Sequence, residues 1–488
     1  MNVFGYFFQQ SSVLTKNLVV GPRETISYNK LYTDSLALAQ KIKAAYGENN
    51  NFLVLSENSV FFILVYLAIM KSGNICVPLN PAIEPENLRK ILDKTDSGAA
   101  FASKKYSTRF RDFPFEIINE DAVISWIAEP NVLLEQGQDL QFDGNRLAEI
   151  IFTSGSTGEQ KGVMITHNNI IANSNSIIKY LKLTENDTIE IVMPFYYCYG
   201  LSLLHTHLRV GGSVVLNNNF IFIGSVISDL NKYNCTGFAG VPSHFQILLR
   251  KTKDFKETKF HSLKYVTQAG GKLHTAFIQE FIDSFPDVKF YVMYGQTEAT
   301  ARLSYLPPEE LKRKLGSIGK GIPDVVLRVI NEKGETVQPG ETGEIIAKGD
   351  NIMPGYFKDA EATNAALRDN WLHTGDMATV DDEGYIYIQS RKKEIIKVRG
   401  IRISPKEIEE IIVTYPGVID CTIEAETDEI TGESVKATVF VNDADKSSFS
   451  EEALKQHCAL KLAQYKIPQK IVFDSRLTFN TAGKKSKY

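Results

Sequence analysis

A chain of 488 residues is too long for one compact core, and its 43% apolar and 23% charged residues are ordinary globular values. The net charge of −4 gives no reason to expect nucleic acid or an anionic membrane as a partner. Five scattered cysteines without a C-x-x-C pair favour neither a disulfide framework nor a zinc site, so we expect a reducing, cytoplasmic setting. No signal peptide is recognised at the start. The longest apolar run, residues 59–70, is shorter than the ~20 residues of a spanning helix.

Strands and helices alternate from the beginning of the chain. The runs NFLVLS, NICVPLN and GAAFAS predict buried strands, and residues 59–71 and 84–94 predict the helices between them. Further on, strand ends are predicted in DTIEIVMP, GSVVLNN, TGFAGVP, LKYVTQAGG and KFYVMYG. This alternation is typical of α/β sheets with helices on both faces.

The texture of the sequence changes twice after this α/β region. From about residue 315 to 390, short strands alternate with turn-rich segments such as QPGETGE, which predicts a β subdomain. A charged segment, SRKKEIIKVRG, then precedes a small α/β unit. Its first helix has a predicted capping box, with Ser404 as N-cap, Pro405 at the first helical position and Glu407 at the third. We therefore expect a large domain over residues 1–392 and a small one over residues 393–488.

One loop between two predicted strands has the composition of an anion site. It lies in IIFTSGSTGEQKGVMITH, where Gly155 and Gly158 allow backbone N–H groups to turn inward. Hydroxyl side chains and Lys161 add donors and a positive charge. The spacing is not that of a Walker A loop, because the required second glycine falls on Gln160. Composition alone leaves a flexible hairpin tip as the alternative.

Five segments, TSGSTGEQKG, YGQTEAT, WLHTGD, SRKKEIIKVRGIRISPKEIEE and NTAGKK, follow one another along the chain. In sequence and in order they resemble the motifs of the AMP-forming adenylating superfamily, which includes acyl-CoA synthetases, adenylation domains of peptide synthetases, and luciferase. TSGSTGEQKG resembles the phosphate loop of that family. NSVFFILVYLAIMKSGNICVPLNP resembles an early segment. The resemblance implies a large N-terminal domain of stacked α/β sheets with a β subdomain, followed by a small mobile α+β domain.

The resemblance also implies a site for ATP and Mg²⁺. Tyr294 would stack on adenine, Thr297 would bind the α-phosphate, and Glu298 would hold Mg²⁺, an ion that takes few protein carboxylates. Asp376 and Arg391 would bind the ribose. The remaining nucleotide-binding residues are Thr153, Ser154, Gly155, Ser156, Thr157, Gly158 and Lys161 for the β and γ phosphates, Gly270 and Gly271 close to the adenine, and Gly295 and Gln296. Each role has a structural alternative. Tyr294 could be a core aromatic, Gly270, Gly271 and Asp376 could be turn residues, and Thr297 and Glu298 could lie on a solvated surface.

Four residues of the C-terminal unit receive roles from the same resemblance. Lys393 occupies the hinge position, and Lys397 and Gly400 follow it. Lys397 joins the catalytic group, and Gly400 lets the pantetheine arm of the thiol pass close to the backbone. Lys484 would bridge the substrate carboxylate and the α-phosphate. The alternatives are a solvated charge run around Lys393 and a frayed basic tail around Lys484.

The sequence departs from the family's pattern at several positions, none of which removes a charged catalytic group. Gln160 and Thr478 replace prolines, Ser390 replaces a glycine, and Asn480 stands where threonine is common. On the acyl side, a tyrosine takes a histidine position in MPFYYCYGLS. No acid occurs in residues 193–202, so an α-amino acid substrate would leave its ammonium unpaired. The candidate pocket residues, which could equally be core, are Tyr196, Tyr197, Tyr199, Phe238, Val241 and Phe245.

The function implied is ATP-dependent ligation of a carboxylic acid, aryl or short-to-medium acyl, to a thiol. The acid is first converted to acyl-AMP with release of pyrophosphate, and the acyl group then passes to coenzyme A. A close alternative acceptor is the phosphopantetheine of a carrier protein. A non-catalytic nucleotide-binding protein and a luciferase-like oxygenase are the remaining alternatives; the presence of both Glu298 and Lys484 argues against the former.

Overall fold

The computed structural model describes residues 1–129, 142–154, 160–220, 222–391, 396–398, 401–428 and 432–476. Predicted apolar runs form the strands of the first sheet, and amphipathic or buried helices connect them. Up to residue 166 the elements are α1 (Val3–Phe8), β1 (Asn17–Val19), β2 (Ile26–Ser27), α2 (Tyr28–Tyr46), β3 (Asn51–Leu55), α3 (Val60–Lys71), β4 (Ile75–Leu79), α4 (Pro85–Thr95), β5 (Ala99–Ala102), α5 (Lys104–Ser107), β6 (Glu116–Ile118), α6 (Glu120–Ala128), β7 (Leu147–Ser154) and β8 (Gln160–Thr166).

Six of these strands form one sheet in the order β6-β5-β3-β4-β7-β8. All neighbours are parallel except β7 and β8, which form an antiparallel hairpin around the predicted phosphate loop. Helix α3, predicted over residues 59–71, spans Val60–Lys71 and is buried on all sides from Phe61 to Met70. The parallel strands of this sheet are continuous apolar segments, as expected for a sheet that is covered by helices on both faces.

A buried polar network lies beneath β7, between this sheet and the helices that cover it. Tyr66 Oη on α3 donates to a carboxylate oxygen of Glu149 at 2.8 Å, and it lies 2.7 Å from Nε2 of His205. Glu149 is 1% exposed and pairs with Cys76 on β4. Burial raises the pKa of Glu149 to about 7 and lowers the pKa of His205 to about 3. His205 is therefore neutral, and the strand leading to the phosphate loop carries a titratable core group.

The second sheet contains the other α/β half of the large domain. Its elements are α7 (His167–Leu181), β9 (Thr188–Ile191), α8 (Cys198–Val210), β10 (Ser213–Leu216), α9 (Ile223–Lys232), β11 (Gly237–Gly240), α10 (Pro242–Arg250), α11 (Asp254–Glu257), β12 (Tyr265–Gln268), α12 (Thr275–Ser284), β13 (Lys289–Tyr294), β14 (Ser304–Leu306) and β15 (Lys320–Gly321).

Nine strands form this sheet in the order β15-β14-β13-β12-β11-β9-β10-β1-β2. The six central strands, from β13 to β1, are parallel, and antiparallel strands close both edges. Ligands in open α/β sheets bind outside the carboxyl ends of the parallel strands. The segments that follow β11, β12 and β13 lie at that edge, and they contain the predicted adenine and metal motifs.

Two smaller sheets complete the described chain. The first is antiparallel, in the order β16-β17-β19-β18 with β20 on β19; the second has the order β22-β21-β24-β23 with β25 parallel to β24. Their elements are β16 (Val325–Ile330), β17 (Gly343–Gly349), α13 (Ala360–Ala366), β18 (Leu367–Arg368), β19 (Trp371–Val380), β20 (Ile386–Arg391), β21 (Ile396–Val398), β22 (Ile401–Ile403), α14 (Pro405–Ile412), β23 (Val418–Asp428), β24 (Gly432–Val441), α15 (Glu451–Ala459) and β25 (Lys470–Asp474). This mixed architecture confirms the predicted fold class.

The start of α14 was predicted correctly, but the predicted capping box is wrong. Ser404 is the N-cap and Pro405 opens the helix, yet Ser404 makes no cap hydrogen bond. Its hydroxyl instead donates to the carbonyl of Gln389 on β20 at 2.6 Å. Glu407 pairs with Lys466. The capping residues thus connect the helix to neighbouring elements rather than to its own backbone.

All five cysteines carry reduced thiols, and four of them are buried. In the part of the chain that the structure describes, we find no helix with the length and apolarity needed to cross a bilayer.

Candidate functional site

The loop after β13 requires glycine at its first position. A Cβ atom on Gly295 would lie 1.9 Å from the carbonyl oxygen of Ala301, so no larger residue fits. The neighbouring loop after β12 contains Gly270 at φ +83°, a left-handed conformation that favours glycine. Its partner Gly271 receives a hydrogen bond from Gln268 at 2.7 Å on its carbonyl. The backbone of Gly295 thus lies close to that of Ala301, in the loop that follows β13 and next to the segment predicted to contact adenine.

Asp376 contacts two other predicted nucleotide-binding residues, Tyr294 and Arg391. Asp376 is 4% exposed, and its carboxylate accepts a hydrogen bond from Tyr294 Oη at 2.7 Å and lies 3.2 Å from Nε of Arg391. Burial, reinforced by the Asp376 carboxylate, raises the pKa of Tyr294 well above its ordinary value. The tyrosine hydroxyl is therefore a permanent donor, and the exposed guanidinium of Arg391 lies beside a buried, oriented carboxylate.

Glu298 accepts a hydrogen bond that sequence reasoning did not anticipate. Tyr356 Oη donates to its Oε1 at 2.8 Å, and the backbone N–H of Met353 donates to its carbonyl at 2.9 Å. The Lys161 ammonium lies 5.1 Å from the centre of the Tyr356 ring, in cation–π geometry. Tyr356 therefore links the predicted metal ligand to the predicted phosphate-binding lysine.

The segment that contains Tyr356 also pairs with β8. The N–H of Met164 donates to the carbonyl of Gly355 at 3.1 Å, and the N–H of Phe357 donates to the carbonyl of Gly162 at 2.7 Å. These bonds connect the six-stranded sheet to residues 355–357, and Tyr356 in turn connects that segment to Glu298 in the loop after β13. The two halves of the predicted ATP site, one on each sheet, are held in register by this connection.

The polar groups beside Glu298 fit a nucleotide. The side-chain amide nitrogen of Gln296 is buried and has no hydrogen-bond partner among the described residues. Thr297 Oγ1 lies 3.4 Å from Sγ of Cys198, at the first turn of α8. A single carboxylate at Glu298 suits Mg²⁺, which usually keeps several waters and binds one or two protein carboxylates with substrate phosphates. Glu298 and Thr297 are the residues that would hold the metal and the α-phosphate.

The phosphate loop is described only at its two ends. Thr153 and Lys161 are paired across β7 and β8, and the register continues to the backbone of Ser154 opposite Gln160. The predicted residues Gly155, Ser156, Thr157 and Gly158 lie outside the described residues. Lys161 therefore projects from the strand just beyond the loop.

The predicted residues of the C-terminal unit remain predictions. Lys393, Gly400 and Lys484 lie outside the described residues. Lys397 lies in β21, opposite Arg402 on β22, where only the backbone is described.

The candidate acyl-pocket residues fall into two groups. Tyr196 and Tyr197 are half-buried before the first turn of α8, with ring centres 4.9 Å apart. Val241 is buried in the same core cluster as Tyr199 and Tyr294. Phe238 and Phe245 belong to a separate aromatic cluster with Phe281 and Phe290. This placement favours the core alternative for Phe238 and Phe245.

Sequence reasoning missed two residues near the site, Tyr356 and Arg302. Tyr356 follows a glycine in a turn-rich segment and carries no local signal. Arg302 had a weak one, because it is the one charge in the otherwise uncharged stretch ARLSYLPP that follows YGQTEAT. It is only 2% exposed.

Comparisons with known proteins agree with these motifs. Residues 9–357 match the model of the family described as AMP-binding enzyme, and residues 407–484 match that of the AMP-binding enzyme C-terminal domain. Among curated relatives, the oxalate–CoA ligase of Arabidopsis thaliana is 29% identical over 88% of this chain and 85% of its own. The 2-succinylbenzoate–CoA ligase of Bacillus subtilis is 27% identical over 94% of this chain and 92% of its own.

Solved structures match over almost the whole chain. The o-succinylbenzoate CoA synthetase from Bacillus subtilis, in complex with its acyl-adenylate intermediate, has a TM-score of 0.85 at 25% identity, covering 99% of this chain and 96% of that one. An anthranilate CoA ligase in complex with anthranoyl-AMP has a TM-score of 0.91 at 22% identity, covering 99% and 95%, and this match shows the fold alone.

Proposed function

Because the chain belongs to the AMP-binding enzyme family and is an AMP-forming acid–thiol ligase, we propose that it joins a carboxylic acid to coenzyme A. A carboxylate oxygen attacks the α-phosphorus of ATP, and the bond to the β-phosphate oxygen breaks, which gives acyl-AMP and pyrophosphate. The sulfur of the thiol then attacks the acyl carbon, and AMP leaves while the thiol proton passes to solvent.

The observation that carries this proposal is the buried Asp376 carboxylate, held by Tyr294 and Arg391 at the edge where β13 ends. A carboxylate can accept from both ribose hydroxyls. On this proposal, Glu298 would hold Mg²⁺ a few residues further on, which would neutralise charge where two anions must meet. Thr297 would bind the α-phosphate, and Lys161 the outer phosphates. Lys484, by family resemblance, would neutralise the substrate carboxylate.

The acid proposed from sequence is an aryl or short-to-medium acyl acid, and relatives named for oxalate and 2-succinylbenzoate support an acid of this size. The acceptor is proposed to be coenzyme A because the relatives are named CoA ligases. The phosphopantetheine of a carrier protein remains the alternative, since both thiols present the same arm.

A pyrophosphate-release screen over carboxylic acids tests the proposal, with coenzyme A, a holo carrier protein or no thiol present. We expect at least one acid to release pyrophosphate and AMP in the presence of coenzyme A. Glu298→Gln should lower this rate about 10²-fold at ordinary Mg²⁺, because a charge that stabilises the transition state is lost. The exposed Glu309→Gln is its control. Full activity of Glu298→Gln, or acyl transfer to the carrier protein alone, would contradict the corresponding part.

A further inference from the structure

Arg302 is held in place by a strained turn beside the nucleotide motif. Thr300 adopts φ +64° and ψ −54°, and the N–H of Ala301 donates to the carbonyl of Ala299 at 2.6 Å. These values define a γ-turn with a positive φ at its central residue, which is rare and strained for L-residues. The strain is greater at Thr300 because its side chain is β-branched. Asn351 fastens it by donating to the carbonyls of Ala299 and Arg302, at 3.2 and 2.8 Å. The position of Arg302 is thus fixed by the backbone.

The guanidinium of Arg302 is buried without a carboxylate. The residue is 2% exposed, and no Asp or Glu among the described residues lies within ion-pair distance of it. Its nitrogen contacts are Nε to the sulfur of Met293 at 3.3 Å and Nη1 to the carbonyl of Ala301 at 3.5 Å, and the guanidinium also interacts with the neutral side chain of Tyr180. Arginine carries five N–H donors and cannot lose its charge in a protein. A buried charge normally has a partner.

Stacking on an aromatic ring compensates only part of this cost. The guanidinium carbon lies 4.3 Å from the ring centre of Tyr199, and the cation is attracted to the ring face. Stacking uses the faces of the guanidinium plane and leaves its in-plane N–H donors available for an anion. The ring itself is fixed, because Tyr199 Oη donates to the carbonyl of Thr267 at 3.0 Å.

Arg302 lies on the acyl side of the nucleotide motif. Its stacking partner Tyr199 is in the first turn of α8, directly after Tyr197 and Cys198. Cys198 is in turn 3.4 Å from Thr297, the residue predicted to bind the α-phosphate. One turn of α8 therefore connects the predicted reaction centre to the buried guanidinium. The oxygen of Thr267 that Tyr199 contacts belongs to β12, whose carboxyl end leads to Gly270.

We propose that Arg302 is an anion-binding residue of the acyl pocket and that the acid this enzyme activates carries a second carboxylate. This inference rests on the proposed function and names its substrate class. One carboxylate reacts with ATP, and the other accepts N–H donors from the planar guanidinium, which matches carboxylate geometry. A dicarboxylic acid would supply the partner that the protein itself does not provide.

Matched pairs of acids test this inference. Glutarate is compared with pentanoate, and isophthalate with benzoate, because each pair differs mainly in the second carboxylate. The readout is kcat/KM for acid in the pyrophosphate-release assay at saturating ATP. We expect the wild-type enzyme to prefer the dicarboxylic member of at least one pair. Preference for the monocarboxylic member of both pairs would overturn the inference.

Arg302→Met and Arg302→Lys identify the residue responsible. Arg302→Met should lower the ratio of dicarboxylic to monocarboxylic kcat/KM by roughly 10- to 100-fold, the range of a hydrogen bond to a charged group. Arg302→Lys, which keeps the charge but not the planar fork, should lower it less. The control is Arg209→Met, since Arg209 also stacks on a tyrosine, at 4.6 Å, but at the far end of α8. An equal loss for both acids in Arg302→Met would assign the residue a structural role and overturn the inference.

One further measurement, the melting temperature, separates a loss of specificity from a loss of folding. The melting temperature of Arg302→Met should not fall, because an unpaired buried charge is replaced by an apolar side chain of similar length. If the variant does not fold, the preference of the wild-type enzyme for the second carboxylate still decides. If no acid of any kind releases pyrophosphate with the wild-type enzyme, the proposed function fails rather than this inference.

Discussion

At the scale of single residues, the Tyr356 hydroxyl fixes the orientation of Glu298, the proposed metal ligand. Tyr356 donates to it at 2.8 Å, and burial of the phenol raises the pKa of Tyr356, with the charge of Glu298 adding to the effect. The hydroxyl therefore keeps its proton over the working pH range. Because the carboxylate already has a fixed orientation, it loses less rotational freedom when a cation binds.

Tyr356→Phe should raise the Mg²⁺ concentration needed for half-maximal pyrophosphate release by roughly 10-fold, since outer-shell partners contribute 10- to 100-fold to metal affinity. The ring under Lys161 is kept, so the contribution of the lysine should persist. Tyr46→Phe is the matched control, because Tyr46 donates to the exposed Glu116 at 2.7 Å, away from the motif. An unchanged Mg²⁺ dependence in Tyr356→Phe would show that the hydrogen bond does not position the ligand.

At the scale of elements, β7 combines a core position with a titratable group. Glu149 keeps its proton up to a pH of about 7 in the folded state because it is buried, whereas an unfolded glutamate ionises near 4.5. The folded state then binds more protons than the unfolded state over this interval. Stability from this group is complete below pH 4.5 and is lost as the pH rises through about 7.

Glu149→Gln should therefore flatten the pH dependence of stability. Relative to this variant, the wild-type protein should lose about 3 kcal/mol of unfolding free energy between pH 4.5 and pH 8. Urea denaturation at several pH values measures the difference, and Glu116→Gln is the exposed control. A wild-type curve parallel to that of Glu149→Gln would mean that Glu149 titrates normally.

Local pattern predicted the elements well and their long-range contacts poorly. Strands such as β3, β4 and β12 were predicted because their apolar and β-branched runs are local signals. The cap of α14 failed because the Ser404 hydroxyl bonds to Gln389 on another strand, which no rule based on the helix alone includes. Tyr356 was missed for the same reason, since its partner Glu298 is 58 residues away. The motif residues themselves were found by resemblance, not by pattern.

At the scale of the whole molecule, α14 contacts the loop that follows β12. Lys272, directly after Gly270 and Gly271, lies 2.7 Å from a carboxylate oxygen of Glu410. Ser404 adds its hydrogen bond to β20. The C-terminal unit is thus connected to the loop predicted to contact adenine. The family resemblance implies that this unit rotates about Lys393 between the two half-reactions, so these contacts would favour one of two orientations.

Reversing the charges of this pair tests that implication. Lys272→Glu or Glu410→Lys alone should change the rates of acyl-AMP formation and of thioester formation in opposite directions, by about 2- to 5-fold, since such pairs contribute up to about 1 kcal/mol. The double variant should restore both rates. Single-turnover kinetics of the two halves, with preformed acyl-AMP for the second, gives the answer. Equal changes in both halves would indicate that the pair does not select an orientation.

The turn at Thr300 constrains how this sequence can evolve. Its left-handed backbone is tolerated because Asn351 donates to two of its carbonyls, while the Thr300 hydroxyl donates to the Asn351 carbonyl at 2.7 Å. Substitutions at the two positions should therefore be non-additive, because either one alone removes bonds that the other residue depends on. The effect of a substitution at Arg302 should also depend on these two residues, because the turn fixes the position of Arg302. Once Arg302 has been replaced and acid specificity has changed, Asn351 and Thr300 can be replaced as well. If Asn351 or Thr300 were replaced first, the turn that positions Arg302 would be lost while Arg302 is still needed.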